Sequence, residues 1–387
     1  MTGRCEALII GAGPAGTAAA ITLGRAGHRP ALVERKVGPT DKVCGDFLSV
    51  DSIRQAQALG VDPAGLGGAP IHRIRLIHGE RTAEATLPFP AIGLSRRRFD
   101  AALLRQAEAA GVEVQAGQTV RHLTRDPPTG DPSGRLADAR PASTAGRWWA
   151  QTGDRTALTA DAVFLATGKH DLRDLPRPRG DRDAIGMKMY FALASEPAKA
   201  LDGAVELTLF RGGYAGMQFV EDGRVVLCIA IQPRAFQSCG GGWPGLIAAI
   251  ERHSRRFAAM LTGARPLLPR PLAVAGIPYG YQAGSTATDG LFRLGDQAAV
   301  IPSLTGDGMA IALHSGKIAA ETWLQGGDSA AYHCNLSRTL RPQMRLAGLL
   351  HRACMSTGVQ SAVLRTTGMF PALLRHAASR TRVASAS

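Results

Sequence analysis

Gly11, Gly13 and Gly16 stand at G-x-G-x-x-G spacing directly after the apolar run Leu8-Ile9-Ile10. That run reads as a buried parallel strand, and the small residues 17–23 read as the helix that follows it. In such a unit the first glycine allows a tight turn. The second lets a pyrophosphate approach the backbone, and the third lets the helix lie close to the sheet. The free N–H groups at the helix start face the phosphates. Pro14 and Ala15 complete the turn and are counted with it as cofactor-binding positions. Ala31-Leu32-Val33 reads as a second strand that ends at Glu34. That is about 20 residues past the glycines, where an acid accepting from ribose hydroxyls is expected. Arg35 beside it is a further candidate.

Three more segments carry polar groups at the ends of apolar elements. In Leu94-Ser95-Arg96-Arg97-Arg98-Phe99-Asp100, Ser95 is placed to cap a helix and Arg96 stands three residues before a Phe-Asp pair. Ala166-Thr167-Gly168 ends the apolar run 161–165. Gly295-Asp296 ends a short strand, and after Pro302 the run Thr305-Gly306-Asp307-Gly308-Met309 opens a helix.

In this order and spacing, the four segments resemble the FAD-dependent flavoproteins that include para-hydroxybenzoate hydroxylase-type monooxygenases and geranylgeranyl reductases. The resemblance covers most of the chain up to Leu324. It implies an α/β fold: a discontinuous Rossmann-like FAD-binding domain, an inserted antiparallel β-sheet substrate domain and a helical C-terminal tail. It implies FAD with its pyrophosphate on Gly11, Gly13 and Gly16 and its ribose on Glu34. Arg96, Val120, Thr167 and Gly168 would border the cofactor. Asp296 would hold ribitol or pyrophosphate-linked oxygens. Pro302, Gly306, Asp307, Gly308 and Met309 would form the turn at the N1/C2 edge of the isoalloxazine, where negative charge develops on reduction. NADPH or NADH is the expected electron donor, with no second G-x-G-x-x-G after a strand to bind it.

Lys42-Val43-Cys44-Gly45 resembles the K-x-C-G stretch of the geranylgeranyl reductase branch, where the cysteine lies near the flavin. A small buried thiol in a loop is the competing reading. That branch also carries Y-x-W-x-F-P in its substrate sheet. Here the matching place reads Tyr214-Ala215-Gly216-Met217-Gln218-Phe219, which keeps only the tyrosine. The W-x-W-x-I-P of flavin-dependent halogenases is matched by neither Trp148-Trp149 nor Trp243-Pro244. The function expected from this pattern is oxygenation of a small aromatic or polyketide-like molecule through a flavin C4a-hydroperoxide. The alternatives are reduction of an isoprenoid or enone double bond and a non-catalytic flavin-binding role. Substrate would lie between the inserted sheet and the flavin, with Phe47, Lys188, Tyr190, Tyr214 and Met217 as candidate contacts. His170, His314 and His351 have no readable acid–base partner and are expected to be structural.

The elements that must position these residues follow from patterning. The FAD-binding domain is expected over 1–70, 95–175 and 285–325, the substrate domain over 71–94 and 176–284, and helices over 326–387. Residues 71–77 alternate apolar and basic side chains as a half-solvated strand, with 84–87 as hairpin partner. Residues 186–194, 205–210, 214–220 and 225–231 read as four strands, and 246–261 as one amphipathic helix. Residues 126–146 are poor in apolar side chains and read as a surface insertion. A net charge of +14 on 387 residues suits an anionic partner or an arginine-rich composition. No basic motif interleaved with aromatics suggests nucleic acid. Six scattered cysteines without a C-x-x-C pair predict neither zinc nor disulfides and suit a reducing cytosol. No apolar stretch is long enough to span a bilayer.

From Ser329 onward there is no Asp or Glu. This tail either closes over the FAD domain with Leu349, Leu350 and Leu364 in the core, or lies on an anionic membrane. The first reading is preferred, because arginine is abundant throughout the chain and Pro342 and Pro371 interrupt the pattern.

Overall fold

The computed structural model describes residues 2–125, 147–153, 157–178, 180, 183–284 and 290–382. The insertion read at 126–146 lies outside them. The strand Thr2–Ile10 pairs in parallel with Ala31–Glu34 on one side and Ala157–Leu165 on the other. Glu113–Ala116 adds a further parallel strand beside Ala31–Glu34. Ala157–Leu165 is long enough to serve two neighbours. Its first half pairs antiparallel with Trp148–Thr152, and its last three residues pair in parallel with Leu291–Arg293. The C-terminal ends of three parallel strands thus meet at Ile10, Leu165 and Arg293, which is where ligands bind in open α/β sheets.

One face of this sheet is covered by helices Pro14–Arg25, Arg96–Ala109 and Gly308–Leu324. The facing positions are largely alanine, including Ala15, Ala18 and Ala19 against Ala310, Ala319 and Ala320, so the backbones approach closely. Ser95 caps its helix as its type suggests, accepting from the Arg98 N–H at 3.3 Å.

The second sheet runs Arg265–Pro266, Ala184–Ala192, Val225–Ile231, Gly213–Phe219, Ala204–Phe210, Ala69–His78, Arg81–Gly93 and Phe47–Leu48, with Leu272–Ile277 also on Ala184–Ala192. The hairpin partner read at 84–87 is the centre of a 13-residue strand. Alternate residues of Ala184–Ala192 serve two faces. Met187, Met189 and Phe191 enter a core covered by helices, and Gly186, Lys188 and Tyr190 face the other way.

The helix read over 246–261 is two helices, Trp243–His253 and Arg255–Leu261. Ser254 is extended between them and caps the second through Phe257 N–H, so Leu246, Ile250, Phe257 and Met260 all reach one core. Pro342 does not break the tail either. It lies inside the 27-residue helix Ser329–Met355. The proline is exposed, and burial of Leu336, Leu340, Met344 and Ala347 offsets its missing N–H. Thr357–Met369 and Pro371–Arg380 follow. Leu364 is buried as expected, but Leu349 is 56% exposed.

Candidate functional site

The glycine turn sits where the first strand ends. Gly11 N–H donates to Val33 O at 2.8 Å, and its φ of +106° suits only glycine. A Cβ there would also lie 2.5 Å from Ala166 O, so the turn and the Ala166–Gly168 segment cross in contact. Glu34 accepts from Ala12 N–H at 2.8 Å and Lys36 N–H at 3.1 Å. Its carboxylate thus pins the turn while bordering the cavity. The helix that starts at Pro14 has no side-chain cap, so its first N–H groups are free for an anion.

Two cavities meet at this turn. One, of about 420 Å³, runs along Gly11–Gly13 past Glu34, Arg35, Lys42, Val120 and Thr167. The other, of about 170 Å³, includes Pro14, Ala15, Cys44, Phe47, Gly306, Gly308 and Met309. Gly13, Arg96, Gly168, Lys169 and Asp296 border both, so the two form one elongated space bent at the helix start. The residues fit a flavin dinucleotide: an acid at one end, glycines and a bare helix start at the middle, and a second bare helix start, at Gly308, at the other end. FAD bound here would supply two-electron chemistry at the Cys44 end.

The middle of the space is positive. Arg96 forks onto Asp100, with both nitrogen–oxygen distances 2.8 Å. Burial opposes its charge, but Asp100 outweighs burial and raises its pKa, so the guanidinium is fixed and cationic. Lys169 behaves alike: burial opposes its charge, and Asp296 at 3.1 Å more than restores it. Burial lowers the pKa of Lys42. Such cations beside a helix start suit a diphosphate.

Cys44 lies on a loop held from below. Asp46, with φ +56° and no exposure, accepts from Lys188 Nζ and Tyr190 OH, each at 2.6 Å. It also accepts from Arg96 N–H at 3.3 Å. Gln218 donates to the Gly45 and Asp46 carbonyls at 3.1 Å. Lys188 and Tyr190, candidate substrate contacts in the sequence, are fully buried in this network and line neither cavity. Met217 packs with Met187 and Met189 in the helix-covered core, away from the cavities. Tyr214 sits behind the wall, where its hydroxyl is 2.7 Å from Ser303 Oγ and accepts from Leu304 N–H. Phe47 does border the inner cavity.

Pro302 and Asp307 belong to the turn but line neither cavity. Asp307 is fully buried, and burial pushes its carboxyl up to about 7 against the pull of Arg382. Arg382 donates to Asp307 Oδ1 and to Thr305 O, both at 2.6 Å, and its guanidinium lies 4.6 Å from the Phe89 ring centre. Burial lowers the pKa of His314 and His351, the latter to about 4, which favours neutral imidazoles, whereas His170 is exposed and borders the larger cavity.

Sequence reading missed Lys169, Asp46, Cys228, Tyr279 and Ser303. Lys169 and Asp46 directly follow recognised segments and were within reach of the motif. Cys228, Tyr279 and Ser303 come from separate strands and loops and have no local signal.

Residues 4–141 match the family model of the FAD binding domain. Menaquinone reductase of Mycolicibacterium smegmatis is 27% identical over 336 residues, covering 84% of this chain and 78% of that protein. Digeranylgeranylglycerophospholipid reductase 2 of Methanopyrus kandleri is 26% identical over 319 residues, covering 82% and 76%. Among solved structures, PqsL of Pseudomonas aeruginosa, a probable FAD-dependent monooxygenase, superposes with a TM-score of 0.72 at 17% identity. That match covers 94% of this chain and 100% of PqsL. With its dinucleotide turn, its elongated cavity and an FAD binding domain over residues 4–141, the chain is an FAD-dependent oxidoreductase, similar in sequence to these reductases and in fold to PqsL.

Proposed function

We propose that this oxidoreductase reduces a carbon–carbon double bond in a lipophilic, isoprenoid-type substrate. The observation that carries the reading is the lining of the inner cavity. Away from the cofactor residues it consists of Val43, Phe47, Ile229, Ile277, Val300 and Ile301, with Cys44, Cys228, Tyr279 and Ser303 as its polar groups. Asp296 is the sole Asp, Glu or His among the described lining residues, and it is paired with Lys169. Hydroxylation of a phenol is helped by a base that takes the phenol proton. An alkene needs an apolar slot, a hydride equivalent and one proton. The curated relatives named above act on menaquinone and on a prenylated glycerophospholipid, which supports the same reading.

Reduced FAD, when bound, supplies the hydride equivalent. The chain's own work is to exclude water, seat the alkene and deliver the proton. We assign that delivery to Cys44, which lines the inner cavity. Its sulfur accepts from Asp46 N–H at 3.5 Å, and its loop is fixed by the Lys188–Asp46 pair. The double bond gains one hydrogen as hydride and one as proton, and the thiolate left on Cys44 is reprotonated from solvent. NADPH or NADH would return the electrons to the cofactor.

The test is anaerobic reduction of the FAD-loaded protein with dithionite, followed by a menaquinone and mass analysis of the product. The expected product carries two additional hydrogens on its prenyl chain. Cys44→Ser should keep FAD and slow this step by about 100-fold, the ordinary reach of a positioned acid. A product that gains one oxygen atom, and only when oxygen is admitted, would overturn the reading in favour of oxygenation.

A further inference from the structure

Six large apolar side chains are exposed among the described residues, and five of them fall between 349 and 373: Leu349, Val359, Met369, Phe370 and Leu373. Scattered exposed hydrophobics are ordinary, but such a concentration is not. Three of the five form the corner where helix Thr357–Met369 meets helix Pro371–Arg380. Met369 is 68% exposed, Phe370 59% and Leu373 47%. The corner is not a loose end. Leu364 and Gln360 on one side of the first helix are buried, with Gln360 Nε2 donating to Phe210 O at 2.8 Å. Leu374 is buried on the second helix, and Ala378 packs beside Phe89 of the substrate sheet. The two helices are thus held from beneath, and their outer side presents the apolar corner.

The charge on these two helices has one sign. Arg365, one helical turn before Met369, is exposed, as are Arg375 and Arg380 after it. No Asp or Glu occurs from Ser329 onward, so these arginines have no acidic neighbour on their own segment. An apolar tip flanked by arginines is the pattern of a helix pair lying in a membrane interface. Aromatic and aliphatic side chains enter the acyl boundary, and the guanidinium groups meet lipid phosphates. A second copy of this chain would bring the same positive charge to the same surface and be repelled by it. No helix among the described residues is long and apolar enough to cross a membrane, so contact is confined to one leaflet.

We infer that the Met369–Phe370–Leu373 corner, with Arg365, Arg375 and Arg380, docks this protein on an anionic lipid surface. The inference stands on the surface itself and not on the proposed reaction, so it is tested with vesicles that contain no substrate.

The full FAD-loaded chain is sedimented with phosphatidylcholine vesicles, with and without phosphatidylglycerol, over a salt series. Binding is expected to the anionic vesicles alone and to fall steeply as salt rises, because surface charge is screened. Met369→Ser, Phe370→Ser and Leu373→Ser together should lower the bound fraction at least about tenfold. Arg365→Glu with Arg375→Glu should do the same. All of these side chains are exposed, so both variants should keep their FAD and their unfolding temperature, and those two measurements accompany the assay. Absence of binding to anionic vesicles at low salt overturns the inference. So does binding that the triple variant leaves unchanged. A concentration-dependent dimer that the triple variant abolishes, without vesicle binding, would assign the corner to self-association instead.

Discussion

Gly13 and Gly16 lie three residues apart in one turn, yet a side chain means different things at each. A Cβ at Gly16 would lie 1.9 Å from Gly11 O, so no side chain fits without moving the helix off the turn. At Gly13, where φ is −77°, the nearest atom to an added Cβ is Arg96 Nη2 at 3.5 Å, an ordinary contact. Gly13→Val is therefore expected to fold with a near-normal unfolding temperature when cofactor-free. Its FAD affinity should fall about 100-fold or more, because the side chain takes the space of the pyrophosphate. Titration of stripped protein with FAD, beside a thermal scan, checks this. Unchanged affinity would mean that the diphosphate lies elsewhere. The residues of this turn were legible because the chemistry of a strand–turn–helix is local. Glu34 was legible for the same reason, although its bonds to Ala12 and Lys36 N–H show that it also braces the turn. Cys228 and Tyr279 were not, since only tertiary packing brings them to the cavity.

The loop that carries Cys44 owes its position to an element far along the chain, the strand Ala184–Ala192. Lys188 and Asp46 form an ion pair with neither side chain exposed. Removing one partner strands the other as a buried charge. Lys188→Met is expected to destabilise the protein by about 3–5 kcal/mol in urea unfolding. Adding Asp46→Asn to it should recover part of that loss, because both charges are then gone. If the single variant lost less than about 1 kcal/mol, the pair would not be what holds the loop. From sequence, a lysine and a tyrosine on an apolar strand read as groups reaching for substrate. The strand itself was read correctly, and in the structure both residues stand on its inner face. What the pattern could not supply is that the Lys42–Phe47 loop returns to meet them there. The same limit applies to the tail. Its apolar content was plain, but the exposed Leu349 and the unbroken helix through Pro342 depend on what packs against each face.

At the scale of the molecule, two histidines tie the long helix Ser329–Met355 to both halves. His333 lies against Leu291 and Arg293 of the first sheet, and His351 lies 5.1 Å from Tyr279 and 6.0 Å from Tyr214, ring centre to ring centre. Burial depresses both to about 4 from the usual value near 6.5. A base depressed on folding contributes stability that is complete above its unfolded pKa and is lost as pH falls toward its folded one. The unfolding temperature should therefore decline between about pH 6.5 and pH 4, and His351→Gln should flatten that decline. An identical slope in the variant would remove His351 from the account. The second sheet was readable from the four strands between residues 186 and 231, whereas the reach of the last helices was not. That reach sets an order of events in synthesis. Thr305 and Asp307 meet Arg382, 75 residues beyond Asp307. On a ribosome the glycine turn emerges early, but the buried Asp307 has no counter-charge until Arg382 has been made and docked. A chain that stops before it keeps every dinucleotide motif but leaves Asp307 buried without its ion-pair partner, where burial favours the protonated acid. The turn beside the cofactor cavity therefore reaches its final set of contacts only when the last helix has docked.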